Sequence, residues 1–315
     1  MNNHNDLILA LSNIHENELL HVFLIPNQTA LIVTRLIISN LDLKETDFLL
    51  IPLRKTDTSL INGESLIFKE SFFSKALIKL LNVKPFSNKI LKRLHKINRP
   101  FILYASWAHF ESLYTPSVEQ ILFSNLCRGH FYIEEGQLTH RYTLPYASKT
   151  EAKQITTYAM DSKFIFRDDA IGYIGLLQDA FPGIPHNKKY IMKNFDDLKK
   201  FYKPRLKGIK NIALTCAERR LKNDQWKAMI KTLIDNMPNG GVIKLHPSFA
   251  SDKIKRNKIK SVIKSLNNNL IKICPDDVII EIEMLYEEKI LVGSLTSLSK
   301  YAESFGSKFI NVDLY

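Results

Sequence analysis

Gly240-Gly241-Val242-Ile243-Lys244-Leu245-His246-Pro247 is the stretch that decides the fold. After the glycine turn, the apolar run from Val242 to Leu245 has the length of a short buried strand. Pro247 stops it, because proline lacks the amide that a central ladder needs. An imidazole therefore stands where a central strand gives way to a loop. In open α/β sheets, ligands bind at the carboxyl ends of strands. A histidine placed there can give a proton to a phosphate leaving group near neutral pH. The plainer alternative is a turn histidine that only closes the strand.

The flanks repeat this strand-loop-helix grammar. Asn211-Ile212-Ala213-Leu214 reads as a strand, with Thr215 opening a loop that runs through Arg220. Trp226, Ile230, Leu233, Ile234 and Met237 recur at helical spacing, as do Ile259, Val262, Ile263 and Leu266. The second of these helices carries Lys253, Lys255, Arg256, Lys258, Lys260 and Lys264 on its other faces. Such a face is solvated or meets anionic lipid. Ile290-Leu291-Val292 is a further inner strand. It opens into Gly293-Ser294-Leu295-Thr296-Ser297-Leu298-Ser299, with a helix from Lys300 to Phe305. A glycine- and hydroxyl-rich turn before a helix is suited to an anion, because backbone N–H groups and the helix dipole face it. Ser299 reads as an ordinary N-cap, and Thr296 and Ser297 as ligands.

The first half opens the same way. His21 to Ile25 is a strand, closed by Pro26-Asn27-Gln28; Thr29 reads as the cap of a helix from Ala30 to Leu41, and Phe48 to Ile51 is the next strand. This β-loop-α-β order starts a parallel sheet. Leu66 to Leu81, Asn88 to Lys96 and Ser117 to Leu126 look helical. The strand Phe101 to Tyr104 runs into Ala105-Ser106-Trp107, and His130 to Ile133 runs into Glu134-Glu135-Gly136. Two adjacent carboxylates at a strand end repel, and the pleat points them apart. They are a base with its support, or a solvated turn with Gly136 at positive φ. Phe164-Ile165-Phe166 reads as a strand and Gly172 to Ala180 as partly helical. Two domains are expected, 1–190 and 191–315, joined through a basic connector that includes Lys203-Pro204-Arg205.

Composition bounds the class. The 315 residues are 45% hydrophobic and 24% charged, which is globular. The net charge of +12 favours anionic partners. Cys127, Cys216 and Cys274 form no CxxC pair, which argues against a disulfide framework or zinc site. A reducing cytoplasm fits. The start lacks the basic region of a signal peptide, and Ala30 to Leu41 is too short to span a bilayer. No GxGxxG, Walker A, HExxH or GxSxG pattern is present.

Together, Ile133-Glu134-Glu135-Gly136, Lys244-Leu245-His246-Pro247 and Gly293-Ser294-Leu295-Thr296-Ser297 resemble the bacterial sialyltransferases of GT-B fold. Those families carry an acidic pair with Gly, a His-Pro and a Ser/Thr pair in this order. The chain is short for these families, and it has Thr-Ser where they have Ser-Ser. The resemblance implies two facing Rossmann-like domains with a cleft between them. It implies inverting transfer of a sialic-acid-type sugar from a CMP donor to a glycan acceptor, with no metal or other cofactor. Glu134 would be the base, supported by Glu135 and Gly136, and His246 the acid. Thr215, Lys244, Pro247, Glu283, Ser294, Thr296 and Ser297 would hold the donor, with Glu283 on the ribose. Asn27, Gln28, Ser106 and Trp107, at strand ends of the first domain, are placed toward the acceptor. The setting implied is surface polysaccharide or lipooligosaccharide synthesis in the cytoplasm, in contact with the anionic inner membrane face.

Two rivals stand beside this reading. One is a GT-B transferase using CMP-Kdo or a UDP sugar. The other is a basic nucleic-acid-binding protein, for which the charge speaks but no helix-turn-helix, RNP-like strand or zinc pattern does; nucleic acid is not expected as a partner.

Overall fold

A computed structural model of the chain describes residues 4–12, 14, 18–52, 56, 58–65, 85–106, 118–140, 142–146, 163–216, 225–246, 249, 253–266 and 270–314. The expected helix Leu66 to Leu81, Trp107, Pro247 and the loop 217–220 lie outside these residues. The chain divides into two compact units, Met1–Phe201 and Tyr202–Tyr315. Each is built on a parallel sheet with helices in its crossovers.

The first unit contains helix α1 (His4–Ser12), β1 (Leu20–Ile25), α2 (Gln28–Asn40), β2 (Phe48–Pro52), α3 (Pro85–Ile97), β3 (Phe101–Ala105), α4 (Val118–Leu122) and β4 (Cys127–Ile133). It continues with β5 (Tyr142–Tyr146), β6 (Lys163–Arg167), β7 (Gly172–Gly175), β8 (Lys189–Ile191) and α5 (Asp196–Phe201). Its main sheet has the order β2-β1-β3-β4-β7-β8, all parallel, and β5 pairs with β6 separately. All of β1 and β3 is buried. Continuous apolar strands of this kind need cover on both faces, which only the helical crossovers of a parallel sheet supply. Each such Leu, Ile or Phe contributes about 1.5–3 kcal/mol by leaving water. An aromatic row crosses three strands, Phe23 stacking on Tyr104 at 4.5 Å and Tyr104 on Phe131 at 5.3 Å. Its polar end is closed by a hydrogen bond between His21 Nδ1 and the Tyr104 hydroxyl, 2.9 Å apart.

The stretch from 191 to 201 stays with the first unit. Ser39 of α2 donates to Asp197 of α5 at 2.5 Å, and the Arg35 guanidinium lies 3.4 Å over the Phe201 ring. The expected partial helix from Gly172 to Ala180 is instead β7, set between β4 and β8. Gly172 is what the strand needs there, since a Cβ would fall 2.2 Å from the Tyr190 ring on β8.

The second unit contains β9 (Asn211–Leu214), α6 (Gln225–Asp235), β10 (Gly241–Lys244), α7 (Lys253–Ser265), β11 (Ile271–Ile273), α8 (Ile280–Tyr286), β12 (Ile290–Gly293), α9 (Ser297–Ser304) and β13 (Lys308–Asn311). Its parallel sheet has the order β11-β10-β9-β12-β13. Met229, Ile230, Leu233 and Ile234 of α6 and Ile259 and Ile263 of α7 pack with Ala213, Ile243 and Val292 into one core. Gly240 and Gly241 take positive φ at the entry to β10. A Cβ on Gly241 would meet the Asn211 carbonyl at 2.4 Å, so the tight turn and the close approach both demand glycine.

Candidate functional site

Among the described residues, each sheet gathers most of its candidates at its carboxyl edge, Glu283 on the helix Ile280–Tyr286 apart. In the first sheet the strand order turns at β1 and β3, where chain direction across the sheet reverses. Such a switch point is where open α/β sheets take ligands. Asn27 follows β1 and caps α2, its Oδ1 accepting from the Ala30 amide at 3.0 Å. The expected cap, Thr29, is instead a buried residue inside the helix. The side chain of Asn27 also donates to the Glu135 carbonyl at 2.7 Å, tying the end of β1 to the turn after β4. Gln28 is half-buried in the first turn of α2, and Ser106 is wholly buried just past β3.

Glu134 follows β4 and is 0% exposed. Its amide extends the ladder onto the Ile174 carbonyl at 2.9 Å. One carboxylate oxygen accepts from the Leu176 amide at 2.6 Å, and the other lies 2.9 Å from His140 Nε2. Gly175 makes room for it, since a Cβ there would fall 2.9 Å from Glu134 Oε2. The other imidazole nitrogen, His140 Nδ1, lies 3.2 Å from Asp179 Oδ1. Glu135 is half-buried; its amide donates to the Thr139 hydroxyl at 3.1 Å. Gly136 has φ of 115°, as expected for the turn, and its carbonyl accepts from the Thr139 amide at 3.0 Å. His140, Asp179 and Thr139 escaped the sequence reading. The one signal for them was a histidine and a hydroxyl residue just past the acidic pair.

In the second sheet the order turns at β9 and β12. Thr215, just past β9, is buried; its amide donates to the Lys244 carbonyl at 3.2 Å. The His246 amide donates to the Thr215 hydroxyl at 2.7 Å, and the His246 carbonyl accepts from Phe249 at 2.8 Å. His246 is thus half-buried and fixed by its backbone at the sheet edge. Gly293 ends β12 against β9, where a Cβ would stand 3.0 Å from the Leu214 carbonyl. Ser294 is buried, and Thr296 is the N-cap of α9, its hydroxyl accepting from the Leu298 amide at 3.2 Å. Ser299, expected as the cap, instead donates its hydroxyl to the Thr296 carbonyl at 2.6 Å. Ser297 is the first residue of the helix. Partial positive charge gathers at this end of α9.

Two expected donor ligands are occupied by the protein itself. The Lys244 ammonium donates to the carbonyls of Pro275, Asp276 and Val278 at 3.1, 2.8 and 2.7 Å. An ammonium has three N–H donors, so this set is complete. Burial pulls its pKa below the usual value, against the opposing pull of Cys274, Glu281, Asp276 and Asp277. Glu283 is buried; one oxygen accepts from the Tyr202 hydroxyl and the Arg205 amide, both at 2.7 Å, and the other from the Leu206 amide at 3.1 Å. Glu283 therefore clamps the segment leading into β9 rather than reaching toward the strand ends. Residues two apart on a helix face nearly opposite ways, so α8 turns Glu281 and Glu283 to different sides.

No protein-family model matches this sequence, and no curated protein sequence matches it. Solved structures do. A complex of S. aureus MnaA with UDP aligns over 93% of this chain and 78% of its own, at 12% identity and a TM-score of 0.55. A UDP-GlcNAc 2-epimerase from Neisseria meningitidis bound to UDP-GlcNAc aligns over 93% and 82%, at 12% identity and 0.52. The UDP-N-acetylglucosamine 2-epimerase from Rickettsia bellii aligns over 94% and 79%, at 13% identity and 0.51. With two parallel α/β sheets of Rossmann-like type, each with most of its candidate residues at the carboxyl edge, the chain has the GT-B fold.

Proposed function

We propose that this protein is an inverting glycosyltransferase that moves a sialic-acid-type sugar from its CMP donor to a glycan hydroxyl, in bacterial surface polysaccharide or lipooligosaccharide synthesis. The observation that carries the reading is His246, held by the Thr215 hydroxyl at the sheet edge that also bears the Thr296-capped start of α9. In the second unit, His246 protonates the departing phosphate oxygen of CMP. The hydroxyls of Ser294, Thr296 and Ser297 and the helix end offset its charge. In the first unit, Glu134 takes the proton of the acceptor hydroxyl. The acceptor oxygen forms the new bond to the anomeric carbon as the bond to phosphate breaks on the opposite face, which inverts the centre. Glu135, half-buried on the same turn, is the rival base. No metal enters this scheme.

The same reading puts the protein in the cytoplasm, with α7 toward anionic lipid. That helix contains no acidic residue; Lys253, Lys258, Lys260 and Lys264 are exposed on it, and Ile254 is 70% exposed among them. A second donor reading, a UDP sugar, is favoured by the UDP and UDP-GlcNAc held by two of the structural neighbours. Incubation with CMP-N-acetylneuraminic acid, CMP-Kdo and UDP-GlcNAc, read as free CMP or UDP and as labelled sugar on glycan, separates the readings. Release of CMP from the first donor alone is expected. Release of UDP alone replaces the donor. Neither turnover nor nucleotide binding on any of the three removes the enzyme reading.

A further inference from the structure

We propose that His140 is a positioning residue for the Glu134 carboxylate. The inference rests on Glu134 acting as the base. The three groups make a chain from the interior to the surface. Glu134 is wholly buried, the His140 side chain is 2% exposed and the Asp179 side chain 52% exposed. The imidazole bonds Glu134 Oε1 through Nε2 at 2.9 Å, and its Nδ1 lies 3.2 Å from Asp179 Oδ1. Asp179 also acts on buried Lys189, whose pKa burial lowers and Asp179 raises.

The rival account makes this pair a staple that closes the turn after β4. The turn is already closed without it. The Glu134 amide is on Ile174, the Glu135 amide on Thr139 Oγ1, the Thr139 amide on Gly136 and the Phe181 amide on the Thr139 carbonyl. What His140 adds to these bonds is a second contact on the carboxylate. The Leu176 amide fixes Oε2, and His140 fixes Oε1. Two fixed contacts set the plane of the carboxylate and so the direction of its remaining lone pairs. A base must meet its proton within hydrogen-bond reach and in line, so that direction governs turnover and leaves donor binding alone.

The test compares wild type with Glu134→Gln, His140→Ala and His140→Gln on the donor that wild type turns over. His140→Ala is expected to lower kcat about 10- to 100-fold, the range for removing an outer partner of a functional group. Donor affinity should stay unchanged. His140→Gln, which keeps an N–H donor, should recover part of the rate. A folded His140→Ala with wild-type kcat overturns the proposal. So does a lower melting temperature with unchanged kcat per folded molecule. An active Glu134→Gln fails the base assignment instead. Independently of turnover, nitrogen NMR of the His140 ring should show Nε2 protonated in wild type and its shift displaced in Glu134→Gln. No displacement breaks the His140–Glu134 link itself.

Discussion

The main-chain N–H of His246 donates to the hydroxyl oxygen of Thr215 at 2.7 Å. The bond continues the pairing of β9 and β10 beyond the strands, so one side-chain oxygen decides where the His246 backbone leaves the sheet. Replacing Thr215 by Val keeps the shape and strands that amide. The loss should be about 1–3 kcal/mol of stability, with weaker CMP binding. Thr215→Ser should keep both. Urea unfolding and calorimetric titration with CMP check this, and a Val variant indistinguishable from wild type would show the bond to be idle.

His246→Ala should fold as wild type does and lose about 10²–10⁴-fold in transfer, the usual contribution of a general acid. The wild-type rate should persist in EDTA. Full activity in the folded variant removes His246 from the chemistry, and activity lost to EDTA but restored by a divalent ion removes the metal-free scheme.

Glu283→Gln should act on stability and not on donor binding. An amide cannot accept at both ends, so at least one of the donors from Tyr202, Arg205 and Leu206 loses its partner. A cost of about 1.5–3 kcal/mol follows for bonds to a charged group. The KM for donor should be unchanged in protein that remains folded. A raised KM with an unchanged urea midpoint would return Glu283 to the ribose.

Acid should unfold the first unit through its buried imidazoles. Burial pulls His21 from 6.5 to about 4, and His130 likewise to about 4. Between those limits the unfolded chain binds protons that the folded chain refuses, so stability falls as pH drops from about 6.5 toward 4. Each imidazole contributes at most about 1.4 kcal/mol per pH unit in that window. Asp169 adds in the same sense at lower pH, its carboxyl held down by the hydrogen bond from Arg167 and by the charges of His130 and Arg167, against burial. Urea midpoints at pH 7, 6, 5 and 4.5 should decline steadily; a flat series would mean that both rings are protonated in the folded state.

Vesicles containing phosphatidylglycerol should pellet the protein at low salt, and neutral vesicles should not. Lys258→Glu with Lys260→Glu and Lys264→Glu should abolish pelleting, since each cation near an anionic surface contributes about 1 kcal/mol. Pelleting that ignores these changes would move the contact off α7.

β1, β2, β3, β9, β10 and β12 were legible because each is an apolar run with a turn or breaker after it, and two facing covers leave such runs no other use. The short edge strands β8, β11 and β13 were not. Each is three or four residues long and carries a lysine that interrupts the apolar run: Lys272 and Lys308, exposed at the sheet edge, and Lys189, which is buried. Gly172 to Gly175 was missed for another reason, because its glycines serve close packing against β8 and Glu134 rather than a turn.

By itself, the sequence determined the two parallel α/β halves and the strand ends carrying Glu134, His246 and Thr296, since apolar runs, prolines and glycines are local signals. Only the tertiary structure decided what those side chains face. Lys244 and Glu283 are consumed by carbonyls and by N–H and O–H donors brought from elsewhere in the chain, and the Leu176 amide reaches Glu134 and Asp179 comes beside His140 only because β4 and β7 are neighbours. A buried polar group takes whichever partner the fold brings within about 3 Å, and chain spacing does not encode that distance.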